Sequence, residues 1–333
     1  MTHDARAVGQ PHEVSMVSSR VPRCSIVMPT YRRPTFLARA VASIMQQTMP
    51  HWELLIVDDN EPDSSARTET ESLVARLMAD DPRVHYIRHP RNLGGGAARN
   101  TGIRATSSPF VAFLDDDDVW HREKLERQLD RLEMSPPHVA LVYCRMRVEE
   151  AVTGRTWLWP TKGDAHSMRD LMMRNTIGST SCVICRRAAL EAVGAFDENL
   201  PSRQDVDLYV RLAERYDFAF VDETLMTLHR HGRPSISNNY DGAIEAHYLF
   251  FEKHRRRIES DPEILHARLY ALGYLLVAAE RYGEARVVLV RAWRVRPLDR
   301  AVLLRLALTV GIVRRLAMLV RRTVPSAWGG GRE

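Results

Sequence analysis

Nowhere in the 333 residues do uncharged apolar side chains run on for the roughly 20 positions that a membrane-spanning helix requires. Met1 to Val21 also lacks the uninterrupted apolar stretch, roughly 7–15 residues long, of a secretory signal. The expectation is a cytoplasmic chain with a flexible leader over residues 1–22. Cysteine is scarce, and the four present, Cys24, Cys144, Cys182 and Cys185, sit in or beside apolar segments. A secreted disulfide framework is thereby excluded. Cys182 and Cys185 have the spacing of half a zinc site, but no second such pair and no spaced histidine pair completes it. Buried strand cysteines are expected instead. No charge sign dominates the whole, the net value being +5, yet Glu252 to Glu333 holds 17 basic against 8 acidic side chains. Membrane lipid, a lipid-linked phosphate, nucleic acid or a merely solvated helix face would each accommodate that surplus.

What is present is a chain that can bury at least one sizeable core, 45% of it being hydrophobic. From Cys24 onward short apolar runs alternate with helical patterns. Cys24 to Pro29 reads as a strand and Pro34 to Gln47 as a helix with Phe36, Leu37, Ala40, Val41 and Ile44 on one face. Strands follow at Leu54 to Val57, Val84 to Ile87 and Phe110 to Leu114, with helices at Ser64 to Met78 and Gly95 to Ala105 between them. Such units predict an α/β fold with a mostly parallel central sheet flanked by helices. Ligands of these sheets lie beyond the carboxyl ends of the strands. Pro29-Thr30-Tyr31, Asp58-Asp59 and Asp115 to Asp118 each follow a strand, so three loops should converge on one rim.

After about Ser135 the pattern is mixed. Val139 to Arg147 and Ser179 to Cys185 read as strands, and Ser167 to Arg174, Arg187 to Val193 and Asp205 to Arg215 as helices. Beyond Ala243 the chain reads as helical, with breaks near Asp261-Pro262 and Pro297 and an amphipathic surface helix towards the end. Gly273 to Asp299 resembles one tetratricopeptide hairpin, short of the roughly three copies that an array needs.

The four consecutive aspartates, Asp115 to Asp118, are the strongest single feature. Four carboxylates in one turn repel one another unless a cation sits among them, and a hard divalent ion suits oxygen ligands. The alternative is the acidic start of a helix over Glu123 to Leu132. Position at the end of a buried strand favours the ion.

Several further motifs stand in a fixed order: Ser25-Ile-Val-Met-Pro-Thr-Tyr31, Val57-Asp-Asp-Asn60, Asn92-Leu-Gly-Gly-Gly-Ala-Ala-Arg-Asn-Thr-Gly102, Leu114-Asp-Asp-Asp-Asp118 and Gln204-Asp-Val-Asp-Leu208. With them the chain resembles, from about Cys24 to Ser237, a family 2 glycosyltransferase with the nucleotide-sugar-binding GT-A fold. The resemblance implies a GT-A domain over 23–240, its nucleotide-binding half 23–120 and its acceptor half 121–240. A C-terminal helical region, 241–325, and a flexible tail, 326–333, would follow. It implies that Pro29, Thr30 and Tyr31 line the base and that Asp59, with Asp58 beside it, accepts a hydrogen bond from it. Asp115 would serve the ribose or the metal shell, Asp116 would adjoin it, and Asp117 would ligate Mn2+ or Mg2+ directly. The segment at Gly94 lacks the spacing of a phosphate loop and would let the backbone pass close to the nucleotide. Arg99 would reach a phosphate or else lie on an exposed helix face.

Asp205 matches the family's catalytic base, in a motif usually Glu-Asp and here Gln204-Asp205; the plainer reading is an acid favoured in a helix's first turn. Gly178 resembles the acceptor-side glycine. Leu228 to Ser237 resembles the family's mobile loop, with His231 as metal ligand, His229 as the alternative, and Arg230 on the diphosphate. The implied reaction is inverting transfer from a nucleotide-diphosphate-sugar to a hydroxyl of a glycan or lipid-linked acceptor, in bacterial polysaccharide or glycolipid assembly. The Gln204 departure leaves open a catalytically silent nucleotide-sugar-binding or assembly protein. A nucleotidyltransferase would carry a glycine-rich basic loop that Pro29 to Arg33 does not match. Peripheral contact with the inner face of the plasma membrane through the basic C-terminal helices is expected, and a nucleic-acid partner is not.

Overall fold

The computed structural model describes residues 22–163, 167–231 and 240–310. The expected leader, the C-terminal tail and residues 232–237 of the expected loop lie outside the described residues. The first half runs β1 (Cys24–Thr30), α1 (Pro34–Met45), β2 (Trp52–Asp58), α2 (Ser65–Asp80), β3 (Val84–Arg88), α3 (Gly95–Ala105) and β4 (Phe110–Phe113). Then come β5 (Val119–Trp120), α4 (Lys124–Glu133), β6 (Val139–Glu150), β7 (Thr156–Leu158), α5 (Met168–Met173), β8 (Val183–Arg186), α6 (Arg187–Ala192), α7 (Gln204–Ala213) and β9 (Asp217–Arg230). Five helices close the described chain: α8 (Tyr240–Lys253), α9 (Arg255–Ser260), α10 (Pro262–Ala278), α11 (Tyr282–Val295) and α12 (Arg300–Leu308).

One sheet has the order β3-β2-β1-β4-β8-β6-β9-β5, with β7 on β6. β3, β2, β1 and β4 are parallel neighbours, whereas β8 runs antiparallel to both β4 and β6. β1, β2 and β4 are buried almost throughout, as strands covered on both faces must be. β4 ends with Phe113 opposite Val27, while β1 runs on to Thr30 opposite Asp58. The chain therefore leaves β4 early and its aspartate turn folds back against the end of β1. Helix α3 lies close on the sheet because Gly102 lacks a Cβ, which would stand 2.3 Å from Val27 Cγ1. Helix α1 buries Leu37, Ala40, Val41 and Ile44, leaving Phe36 half-buried at its edge.

Three differences from the sequence reading have local causes. Ser179 to Cys185 is not all strand, since Thr180–Cys182 is a 3-10 turn held by Ser179 Oγ accepting from Ser181 N. The 14-residue β9 is missed because Asp217, Asp222 and Glu223 obscure its alternation. Consequently His229 and Arg230 end a strand rather than lie in a loop. All four cysteines are buried and free.

Helices α10 and α11 form a tight hairpin, with the absent Cβ of Gly273 only 2.5 Å from Leu289 Cδ2. Leu269, Leu272, Leu276, Leu289, Ala292 and Val302 make a second core there. Among the described residues no helix is long and apolar enough to cross a membrane.

Candidate active site

The rim beyond β1, β2 and β4 is organised by hydrogen bonds from the chain's own residues. Thr30 Oγ1 donates to Asp116 Oδ2 at 2.8 Å, and Tyr31 N to the same oxygen at 3.3 Å. Arg33 pairs with both Asp116 and Asp117, and Arg39 donates to the Asp117 carbonyl at 2.9 Å. Arg99, buried rather than on an exposed helix face, meets Asp115 at 2.5 Å. Asp118 accepts from His229 N at 3.3 Å, which draws the end of β9 to the aspartate turn. Phe36, His231 and His229 form a stack beside it, with centroid separations of 4.1 and 5.8 Å. Arg230 instead lies over Trp157.

Crowding of acids in a dry place raises their proton affinity. Burial, then the charge of Asp117, pushes Asp116 up to about 7 against the opposing pull of Arg33 and Thr30. Burial likewise raises Asp117, with Arg33 opposing and Asp115 adding to it, and holds Asp118 well above the carboxylate range. His229 is shifted down, by burial first and by Arg39 next.

Asp58 and Asp59, expected beside a base, are held by hydrogen bonds from their own loop. Asp58 is wholly buried and accepts from Asn60 N at 2.8 Å and from Tyr86 OH at 2.5 Å. Asp59, 3% exposed, accepts from Asn92 Nδ2, Leu93 N and Gly94 N at 2.8–3.0 Å and faces His89 Nδ1 at 2.8 Å. Both carboxylates are thus occupied in shaping the loop that leads into α3. Gly94 has φ of +91°, a left-handed value that suits glycine. The next two glycines make room for α7: a Cβ on Gly96 would lie 3.3 Å from Gln204 Cδ. Gly96 therefore packs closely against Gln204.

Asp205 stands half-buried on the first turn of α7, and Asn175 Nδ2 donates to its Oδ2 at 3.1 Å. The same Nδ2 reaches the Gly178 carbonyl at 3.0 Å. Gly178 has φ of +113°, a backbone that side chains rarely adopt, and a Cβ there would lie 2.9 Å from Met146 Cε and displace it. Arg99 ties the aspartate turn to the start of α7, with Nη1 donating to Gln204 Oε1 at 3.3 Å while Nη2 holds Asp115. Burial raises the Asp205 pKa, Val206 N, Arg203 and Arg99 oppose, and the charge of Asp115 raises it further. The structure thus brings Asp115 to Asp118, Thr30, Tyr31, Arg99, Gln204, Asp205, His229 and His231 to one rim, with Pro29 in the strand beneath.

Residues 25–194 match the model of glycosyl transferase family 2. The chain belongs to that family. An Escherichia coli K12 protein provisionally named a colanic acid biosynthesis glycosyl transferase, WcaA, is 28% identical over 72% of this chain and 83% of its own length. The crystal structure of Staphylococcus aureus TarS superposes with a TM-score of 0.58 at 18% identity, over 89% of this chain and 53% of TarS. The mannosyltransferase PcManGT of Pyrobaculum calidifontis, solved with GDP-Man and Mn2+, gives 0.53 at 19% identity over 94% of this chain and 89% of its own. At these identities the structures establish the GT-A fold.

Seen as a glycosyltransferase, the chain offers hard oxygen atoms for a divalent ion in Asp115 and Asp117, the donor chemistry that Mg2+ and Mn2+ prefer. Their raised neighbours and their two arginine partners show negative charge in excess of what the turn tolerates by itself. Among the described residues no three His, Cys, Asp or Glu side chains are gathered as a ready metal cage. The fit is therefore one of donor chemistry, with Arg33 and Arg99 on the carboxylate oxygens of Asp117 and Asp115.

Sequence reasoning missed Arg33, Asn175 and His89. Arg33 is one of two adjacent arginines; Arg32 takes a φ of +58°, and Arg33 is the one that pairs with the aspartates. Asn175 carried a faint signal, since Asn-x-x-Gly is a turn pattern whose side chain caps its own loop, here through Gly178 N at 2.9 Å.

Proposed function

We propose that this glycosyltransferase moves a sugar from a nucleotide-diphosphate-sugar onto an acceptor hydroxyl with inversion, in building a cell-surface polysaccharide or glycolipid. One observation carries the reading: Arg99 joins Asp115 of the aspartate turn to Gln204, the residue before Asp205, so that the half-buried Asp205 carboxylate lies within reach of the charges of both Arg99 and Asp115. Asp205 accepts the acceptor hydroxyl's proton at Oδ1 or Oδ2 while Asn175 orients the carboxylate. A raised pKa makes it the stronger base. Thr30 and Tyr31, tied to Asp116, hold the nucleotide end, and Arg33, Arg39 and Arg99 supply positive charge beside the departing diphosphate. Asp115 and Asp117 would hold Mn2+ or Mg2+, which when bound neutralises charge on that leaving group. The names of WcaA and of GDP-Man-bound PcManGT support the polysaccharide setting and the substrate class.

With Mn2+ and a panel of α-linked nucleotide sugars, purified protein should release nucleoside diphosphate and form a β-linked product. The anomeric proton coupling in NMR reads the outcome, and an α-linked product sinks the single displacement.

A membrane-facing location is the companion proposal. Val287, Leu298 and Leu304 are 73, 91 and 63% exposed on α11, α12 and their connection, beside Arg294 and Arg300. Apolar side chains among cations suit an anionic lipid surface. The protein should pellet with phosphatidylglycerol vesicles at low salt and be released near 1 M, where the Debye length shrinks to about 3 Å. Absence of salt-sensitive binding retires the idea.

A further inference from the structure

The aspartate turn is fastened to one serine. Ser181, wholly buried in the middle of the 3-10 turn Thr180–Cys182, accepts from Asp115 N at 3.0 Å through Oγ and donates the same hydroxyl to the Asp118 carboxylate. Its carbonyl accepts from Trp120 Nε1 at 2.8 Å, and its own N–H donates to Ser179 Oγ at 3.1 Å. The segment from Asp115 to Trp120 is therefore gripped at its first residue, at its last aspartate and at the indole that follows. Asp116 and Asp117 lie inside that grip.

Helix α4 backs the arrangement. Lys124, in its first turn, is wholly buried, with its ammonium 4.2 Å from the centroid of the Trp120 ring and hydrogen-bonded to nothing among the described residues. A buried ammonium is costly unless something compensates it, and the face of an indole does so. The cation in turn draws electron density from the ring, which makes Nε1–H a better donor to the Ser181 carbonyl. Gln128, one turn further along α4, donates through Nε2 to the carbonyls of Cys182 at 3.0 Å and Val142 at 3.2 Å, and so pins the 3-10 turn to β6. Earlier in the same stretch of chain Asn175 holds both the Gly178 carbonyl and Asp205 Oδ2. One short segment thus touches the aspartate turn and the carboxylate of α7.

We propose that Ser181 is a positioning residue: it holds Asp115 and Asp117 in register for the divalent cation and fixes the aspartate turn relative to Asp205, with Trp120, under the Lys124 ammonium, acting through it. The inference rests on the reading of Asp115 and Asp117 as the cation's ligands and adds the residues that keep them in place. A carboxylate on a free turn must be ordered when the ion arrives, whereas one already held by its backbone is not. Ser181 contributes to affinity for the ion in that way without touching it.

The test is calorimetric titration of Mn2+ into the full chain with UDP and GDP both in excess, beside thermal unfolding of each variant without metal. Ser181→Ala should weaken Mn2+ by about 10- to 100-fold, the range for groups that orient metal ligands. Trp120→Phe, which removes one N–H, should weaken it by roughly 3- to 10-fold in the wild type. In the Ser181→Ala background the same change should cost less than about twofold, because without the hydroxyl the indole has nothing left to aim. That lack of additivity is the readout that a merely structural pair would not produce. Wild-type Mn2+ affinity in Ser181→Ala overturns the proposal even if its melting temperature falls, since the serine would then serve the core alone. Additive losses in the double variant overturn it too. Should Ser181→Ala not fold, Trp120→Phe decides: weakened Mn2+ supports the proposal and unchanged affinity overturns it. A wild type that takes up no Mn2+ with these nucleotides overturns the cation reading and this inference with it, whereas equal uptake by wild type and variants overturns this inference alone.

Discussion

Asp205→Asn is expected to slow sugar transfer by roughly 10²- to 10⁴-fold, while the dissociation constant of the nucleotide sugar moves by less than about twofold. Asparagine matches aspartate in shape and can remain in the first turn of α7 beside Asn175, but it cannot accept a proton. The loss should therefore fall on kcat, as it does when an interaction present only in the transition state is removed. Calorimetry of nucleotide-sugar binding beside a product assay separates the two. An equal loss of affinity would remove Asp205 from the role of base. The wild-type enzyme should also show an acidic limb in its pH profile. Burial, with the charge of Asp115, raises the Asp205 pKa against Arg203 and Arg99, so the competent ionised form is lost on acidification above the ordinary carboxylate range. The asparagine variant should lack that limb.

Asp207→Ala is expected to destabilise the fold by about 3–5 kcal/mol, the magnitude for removing one partner from a buried charge network. Asp207 is wholly buried two residues beyond the proposed base, and it accepts from Arg211 Nε at 2.8 Å, Lys253 Nζ at 3.0 Å and His254 Nε2 at 3.0 Å. Two of those three partners stand at the junction of α8 and α9, so the residue ties the C-terminal helices to α7. Burial alone would raise its pKa, but the His254 hydrogen bond, Arg211 and Lys253 outweigh it and hold the carboxyl at about 2. Because the folded pKa lies below the unfolded value of about 3.9, the stabilisation is complete above pH 4. It is lost as the pH falls from about 4 to about 2. Urea denaturation at neutral pH should show the full deficit, and the gap between variant and wild type should narrow through that acid window. A deficit below about 1 kcal/mol at neutral pH would mean that Arg211, Lys253 and His254 are adequately solvated without Asp207.

Legibility differed between the two halves of the site. Asp115 to Asp118 were visible because four acids after a buried apolar run have few physical explanations, and α3 was placed at its observed bounds of Gly95–Ala105. Gln204 and Asp205 were visible as a motif. That Arg99 spans from Asp115 to Gln204 was not, because those positions are far apart in the chain and no local period encodes their meeting. Asp58 and Asp59 were legible as a pair, but their loop partners were not. Two carboxylates at a strand end resemble ligand contacts, yet here they accept hydrogen bonds from their own loop, and only the fold reveals that Asn92, Leu93 and Gly94 return to them.

By itself the sequence determined the α/β alternation, the burial of β1, β2 and β4, the family, and the order of its motifs, because hydrophobic period and short motifs are local properties of the chain. Tertiary structure decided which arginine serves which acid, that His229 ends a strand, and that Arg203 and Arg268 share Phe250. The physical reason is that charge pairing and burial depend on distances in space. A long guanidinium can reach any of several carboxylates until packing selects among them.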